Sequence, residues 1–220
     1  MKFDRRHLLL YAVTDSACIG QRDFFAAVES ALKGGVTMVQ LREKGLGTRA
    51  LAEKAKRLKE ICAAYGAPLI VNDDYRAALE AGADGVHVGL EDTAVPEIRK
   101  AAGSGFLIGA TAKTVGQAQS AQAAGADYLG VGAIFPSPTK QNAIRITAAQ
   151  LAEIAGSVTV PVCAIGGITA ENLHELRGCG AAGFALVSAI FSAEDITARC
   201  RTLRALAEPL CAFPGQEHCL

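Results

Sequence analysis

The chain has no tryptophan, two methionines, and aromatic residues at only 5% of its 220 positions. Proteins that hold single-stranded nucleic acid stack bases on aromatic side chains, and little here could serve. A surplus of charge is missing as well: 22 Lys and Arg face 22 Asp and Glu, for a formal net charge of zero. Without a basic excess there is no electrostatic footprint for a phosphate backbone or an anionic bilayer. Glycines and charges interrupt every apolar stretch, leaving no run of ~20 residues for a membrane-spanning helix. Leu8–Leu10, behind the charged start Met1–His7, is too short for the apolar part of a signal peptide. No CxxC spacing occurs among Cys18, Cys62, Cys163, Cys179, Cys200, Cys211 and Cys219, most of which sit between apolar residues, as in Val162-Cys163-Ala164. Such thiols read as small buried hydrophobes rather than a disulfide framework. The expectation is a cytoplasmic protein with reduced thiols. It is read as one domain over residues 1–220, with 209–220 as a C-terminal tail, and half its residues are hydrophobic, enough for one core.

What is present is a repeat of short apolar runs: Leu8–Thr14, Val36–Leu41, Pro68–Val71, Gly85–Val88, Phe106–Ala110, Asp127–Gly132, Pro161–Ile165 and Gly183–Val187. Continuous apolar character, without alternation, is what a strand buried on both faces requires. Helical patterns lie between them. Leu51, Ala55, Leu58 and Cys62 step by three or four, as do Phe24, Val28 and Leu32 ahead of Gly34. Thr114-Val115-Gly116-Gln117 and Thr147-Ala148-Ala149-Gln150 fit the capping box that opens a helix, and Ser192-Ala193-Glu194-Asp195 is a looser version. Glycine, then a tight turn, then a strand recurs at Gly34, Gly82, Gly125 and Gly180. Eight units in 220 residues predict an α/β fold, a single (β/α)8 TIM barrel. In that fold the working residues sit at the C-terminal ends of the strands.

The strand ends are therefore where polar residues acquire meaning. Gln40-Leu41-Arg42-Glu43-Lys44 ends the second run with an amide and two cations, suited to a pyrophosphate or, equally, to a solvated charge cluster. Asn72-Asp73-Asp74 ends the third run, and His87 to Asp92 ends the fourth. Carboxylates there could share one Mg²⁺ or cap the next helices. His87, inside its strand, reads more readily as a hydrogen-bonded barrel histidine than as a ligand. Thr111 and Lys113 end the fifth run, and Phe135-Pro136-Ser137-Pro138-Thr139-Lys140 follows the sixth as a stiff loop. Gly166-Gly167 and Val187-Ser188 end the last two runs, and glycine turns with a short helix start are the usual barrel phosphate site.

Six motifs in register, QLREKG, NDDYRAAL, ADGVHVGLEDT, FPSPTK, CAIGGIT and ALVSAIF, resemble thiamine-phosphate synthase across essentially the whole chain. That resemblance implies condensation of hydroxymethylpyrimidine pyrophosphate with a thiazole phosphate, giving thiamine phosphate and pyrophosphate, with Mg²⁺. It implies that Gln40, Leu41, Arg42, Glu43, Lys44 and Asn72 bind the pyrimidine pyrophosphate and that Asp73 and Asp92 hold the metal. Thr111 and Lys140 would complete the pyrophosphate pocket. Ser137, Pro138, Thr139, Gly167, Val187 and Ser188 would take the thiazole phosphate. Arg42, Lys44, Thr111 and Lys140 would carry the catalysis. Leu90, Thr111, Lys113 and Ser137 depart from the family's usual glutamine, serine, histidine and threonine. Both Ser/Thr exchanges keep a hydroxyl.

Other readings of the same residues are a thiazole tautomerase on the same barrel, which would need an acid/base histidine, and a Schiff-base aldolase using Lys113 or Lys140. A phosphometabolite-binding protein without catalysis is a third. The retained cations and carboxylates favour the synthase. The expected partners are its two small-molecule substrates and at most a second copy of the chain, with no nucleic acid and no membrane.

Overall fold

The computed structural model describes residues 3–136 and 144–211. Eight parallel strands pair in sequence order and the last closes on the first: β1 (Leu10–Val13), β2 (Met38–Leu41), β3 (Leu69–Asn72), β4 (Gly85–Val88), β5 (Leu107–Ala112), β6 (Tyr128–Gly132), β7 (Val162–Ile165) and β8 (Gly183–Leu186). Each lies within two residues of an expected apolar run. Around them run α1 (Ser16–Ile19), α2 (Phe24–Lys33), α3 (Thr48–Ala64), α4 (Tyr75–Ala81), α5 (Val95–Ala102), α6 (Val115–Ala123), α7 (Ala148–Gly156), α8 (Ser188–Phe191) and α9 (Ile196–Ala207). The expected near-equal units are not fully regular. The crossover from β7 to β8 carries only a 3-10 turn, Leu173–Leu176.

Two apolar layers follow from the period of two along each strand. Tyr11, Val13, Met38, Ile70, Leu107, Tyr128, Cys163 and Ala185 point into the barrel and form its inner core. Their neighbours Leu10, Ala12, Val39, Leu41, Leu69, Val71, Ile108, Leu129 and Phe184 point outward and pack beneath the helices. A strand buried on both faces has no polar side to show, which is why its sequence does not alternate.

Helix starts follow local chemistry. Thr147 and Gln150 make the full reciprocal box. Thr114 caps α6, but Gln117 reaches back to the Lys113 N–H instead (2.8 Å). Ser192 opens no helix: it ends α8, and Asp195 caps α9 by accepting from Ala198 N–H (2.9 Å). The segment expected as a tail from Pro209 begins packed. Glu208–Leu210 is a 3-10 turn and Cys211 is buried against the core, while residues 212–220 lie outside the described ones. Among the described residues no helix is long and apolar enough to cross a membrane.

Candidate active site at the barrel mouth

A cavity of about 200 Å³ opens at the C-terminal ends of the strands. Seven of the expected residues line it: Gln40, Arg42, Asn72, Thr111, Gly167, Val187 and Ser188, joined by Lys113. Strand parity explains the set, because Gln40, Asn72 and Thr111 occupy inward positions of β2, β3 and β5. A larger hollow of about 420 Å³ lies on the flank beside α2. Two of its three acids are already engaged, Asp23 capping α2 and Asp195 capping α9, which leaves Glu194, a smaller set of polar groups than at the barrel mouth.

Other expected residues stand differently. The Leu41 side chain is fully buried in the outer layer, so only its backbone can face the mouth. Glu43 is tied away from the cavity, accepting from Ser16 Oγ (2.8 Å) and pairing with Lys54 Nζ (3.1 Å). Lys54 in turn lies over the Phe24 ring, 3.5 Å from its centroid. Lys44 is exposed on the turn after β2. Ser137, Pro138, Thr139 and Lys140 lie outside the described residues. Of the departures, Lys113 lines the cavity, and Leu90 is exposed on the loop after β4.

Neither Asp73 nor Asp92 caps a helix: α4 is capped by Asp74, whose side chain accepts from Ala77 N–H, and α5 has no side-chain cap. Asp73 sits in the left-handed region (φ +63°), its side chain receiving the Asn72 amide. Asp92 accepts from the Gly89 N–H (2.7 Å). Burial first, and then the adjacent Asp92 carboxylate, raise the Asp73 carboxyl to about 6, with Asn72 and Arg42 acting the other way. Two acids that repel each other beside a cavity are a hard-oxygen donor pair that a divalent cation would relieve. Among the described residues no cluster of three or more His, Cys, Asp and Glu side chains is present. Mg²⁺ needs only one or two carboxylates when phosphate and water supply the remaining oxygens.

Across the cavity the β7 turn is built from Gly166 and Gly167, at φ +102° and +66°. A Cβ on Gly167 would lie 2.3 Å from the Pro136 carbonyl oxygen, so the backbone after β6 rests directly on this turn. Asn172 holds it from beneath, donating to Gly167 C=O (2.9 Å) and accepting from Thr169 N–H (2.8 Å). The start of α8, at Val187-Ser188, adds backbone N–H groups with no partner inside the helix.

Some contributors were not singled out from the sequence. Asp15 pairs with Arg42 (3.2 Å) and sets where the guanidinium lies. Thr14, fully buried, accepts from Arg42 N–H (2.9 Å). Their only sequence signal is position, Thr14 ending the first apolar run and Asp15 following it. His87 makes two hydrogen bonds, to Tyr128 OH (3.2 Å) and Thr111 Oγ1 (3.1 Å). Burial lowers its pKa to about 4, so the ring is neutral.

Residues 10–190 match the family profile described as thiamine monophosphate synthase. The thiamine-phosphate synthase of Enterococcus faecalis is 45% identical over 205 residues, covering 93% of this chain and 96% of that protein. Thiamine-phosphate synthase 2 of Streptococcus pneumoniae is 45% identical over 196 residues, covering 89% and 93%. The solved thiamine phosphate pyrophosphorylase from Pyrococcus furiosus superposes with a TM-score of 0.87 at 36% identity, covering 94% of this chain and 99% of that one.

Proposed function

The chain belongs to the thiamine monophosphate synthase family, and from that premise we propose how its barrel mouth joins a pyrimidine pyrophosphate to a thiazole phosphate. The observation that carries the reading is a pair of anion cradles facing one cavity. Arg42, Asn72 and Thr111 stand on the β2–β5 side, and the glycine turn and the start of α8 on the β7–β8 side. One cradle suits the pyrophosphate and the other the phosphate of the second substrate.

The reaction is a group transfer in which the C–O bond to pyrophosphate breaks first. The electron pair leaves with the pyrophosphate, and the electron-rich aminopyrimidine spreads the positive charge left on the methylene. The thiazole ring nitrogen then donates its lone pair to that carbon, forming the C–N bond of thiamine phosphate. No proton has to be removed, so no acid/base dyad is required. Arg42, with Lys44 and Lys140, stabilises charge growing on the leaving oxygen, and Thr111 donates to it. The two cradles hold the cation and nitrogen in line. Asp73 and Asp92 would hold Mg²⁺, which when bound neutralises charge on the pyrophosphate. The six described cysteines are all free, which supports a reducing, cytoplasmic setting.

The test mixes purified protein, Mg²⁺ and both substrates and detects thiamine phosphate as fluorescent thiochrome. Product that requires both substrates, is lost with EDTA and returns with Mg²⁺ is expected. Folded protein giving no product would overturn the proposal.

A further inference from the structure

Five side chains from five strands form one unbroken hydrogen-bonded line at the floor of the cavity, four of them, Tyr11, Gln40, His87 and Thr111, lining it. Gln40 Nε2 lies 2.7 Å from Tyr11 OH, and Tyr11 OH lies 2.9 Å from Tyr128 OH. His87 bridges Tyr128 OH and Thr111 Oγ1 through its two ring nitrogens. Space for the line is built into the barrel by glycine. A Cβ at Gly109 would lie 2.2 Å from Tyr128 Cζ and 2.4 Å from His87 Nδ1, and one at Gly130 would lie 2.8 Å from His87 Cε1. One end, Thr111, carries a group that the proposed function assigns to pyrophosphate, and the other, Gln40, lines the same cavity.

A hydroxyl has one proton, and a neutral imidazole has one N–H and one acceptor nitrogen. Each tyrosine hydroxyl and the imidazole ring therefore donates to one neighbour and accepts from the other in only two senses. In the first, Gln40 N–H donates to Tyr11, Tyr11 to Tyr128, Tyr128 to His87 Nδ1, and His87 Nε2–H to Thr111. That leaves the Thr111 O–H free to donate into the cavity and the Gln40 carbonyl oxygen free to accept. In the second sense every proton is reversed, the amide is turned over, and Thr111 accepts while Gln40 donates. A mixed arrangement either sets two lone pairs against each other or makes one tyrosine oxygen accept from both neighbours, which leaves that tyrosine's own buried proton without a partner in the line.

We propose that Tyr11, Tyr128 and His87 are positioning residues, a wire that locks the donor–acceptor sense of Thr111 to that of Gln40. An oxyanion at Thr111 selects the first sense, and Gln40 is thereby set to accept an N–H from the other end of the same ligand. The coupling is reciprocal: a ring N–H at Gln40 prepares Thr111 as a donor for pyrophosphate. The wire recognises a molecule carrying an anion and an N–H-bearing ring together, better than either piece alone. The inference rests on the reading of Thr111 as a pyrophosphate contact.

The experiment reads the His87 tautomer by ¹⁵N NMR at pH 8 in full-length protein with Mg²⁺ and inorganic pyrophosphate, the signal being assigned by its loss in His87→Gln. The wild type is expected as the Nε2–H tautomer. Gln40→Glu places a pure acceptor at the far end and is expected to switch His87 to Nδ1–H. In a Tyr128→Phe background, or with Tyr11→Phe as a second cut, the same Gln40→Glu change is expected to leave the tautomer where the cut alone left it. Tyr128→Phe is also expected to weaken inorganic pyrophosphate several-fold by calorimetry, an effect that disappears in Thr111→Val. A tautomer indifferent to residue 40, or one that follows it equally well through either cut, would overturn the wire. Pyrophosphate affinity unchanged by Tyr128→Phe would overturn its role in aiming Thr111. Neither readout needs turnover, so failure of the synthase reading shows separately, as absence of thiochrome.

Discussion

The same substitution, glycine to alanine, should have opposite signs at two positions seven residues apart. At Gly109 on β5 the new methyl would stand 2.2 Å from Tyr128 Cζ and 2.4 Å from His87 Nδ1. Both rings are held by hydrogen bonds inside a closed barrel, and the Tyr128 ring is fully buried. Neither can swing away without breaking the wire. Overpacking of this kind costs about 1–3 kcal/mol. Loss of one or two buried hydrogen bonds adds about 1 kcal/mol each. At Gly116, on the first turn of α6, a Cβ meets nothing within 4 Å. There alanine stabilises by about 0.5–1 kcal/mol, through lower chain entropy in the unfolded state and better helix propensity. For a domain this size 1 kcal/mol moves the melting temperature by about 2–4 °C. Gly109→Ala is therefore expected to melt about 5–15 °C lower and Gly116→Ala about 1–4 °C higher, with urea midpoints moving in the same senses. Equal stability of Gly109→Ala and wild type would refute the packing argument on which the wire depends.

Three shorter predictions accompany it. Arg42→Ala should lower kcat/KM by about 10²–10³-fold in the thiochrome assay, the usual loss for one well-placed donor to a developing anion, while its circular dichroism spectrum stays native. Glu43 and Lys54 should behave as a unit in urea unfolding: each alanine variant destabilises, and the double variant is no worse than either, with a coupling of about 1 kcal/mol. Additive losses would argue against the pair. Burial raises the thiols of Cys62, Cys200 and Cys211 from 9.0 to about 12. A raised thiol pKa means less thiolate below it, so at pH 8 each should react about 10³-fold more slowly than a thiol at 9. Peptide mapping after alkylation checks this, and rapid native-state labelling of these three would contradict it.

Most of the scaffold was legible because a strand inside a parallel barrel must be apolar on both faces, and eight such runs mark themselves. The crossover after β7 was not, since Thr169 to Cys179 carries no periodicity to distinguish a helix from a turn. At the mouth, residue type and position after a strand found Gln40, Arg42, Asn72, Thr111 and the glycine turn. They left Asp73 and Asp92 divided between capping and metal binding. The structure removes the capping reading, by giving the cap to Asp74 and leaving α5 without one. Glu43 entered as a substrate contact through the resemblance, as part of QLREKG, and in the structure its side chain pairs with Lys54. Ser192 read as a cap because it precedes an acid by the right interval, but Asp195 is one residue from the helix and wins the backbone N–H. The wire was least visible. Tyr11 and Tyr128 look like core aromatics, and only the inward parity shared by Tyr11, Gln40, His87, Thr111 and Tyr128 hints that they meet.

A crystal structure of the protein with Mn²⁺ in place of Mg²⁺, pyrophosphate and thiamine phosphate tests the central claim most directly. The account predicts an anomalous peak between Asp73 and Asp92, pyrophosphate against Arg42 and Thr111, and the second phosphate on Gly167 and Ser188. Metal and pyrophosphate bound elsewhere, with the mouth filled only by water, would contradict it.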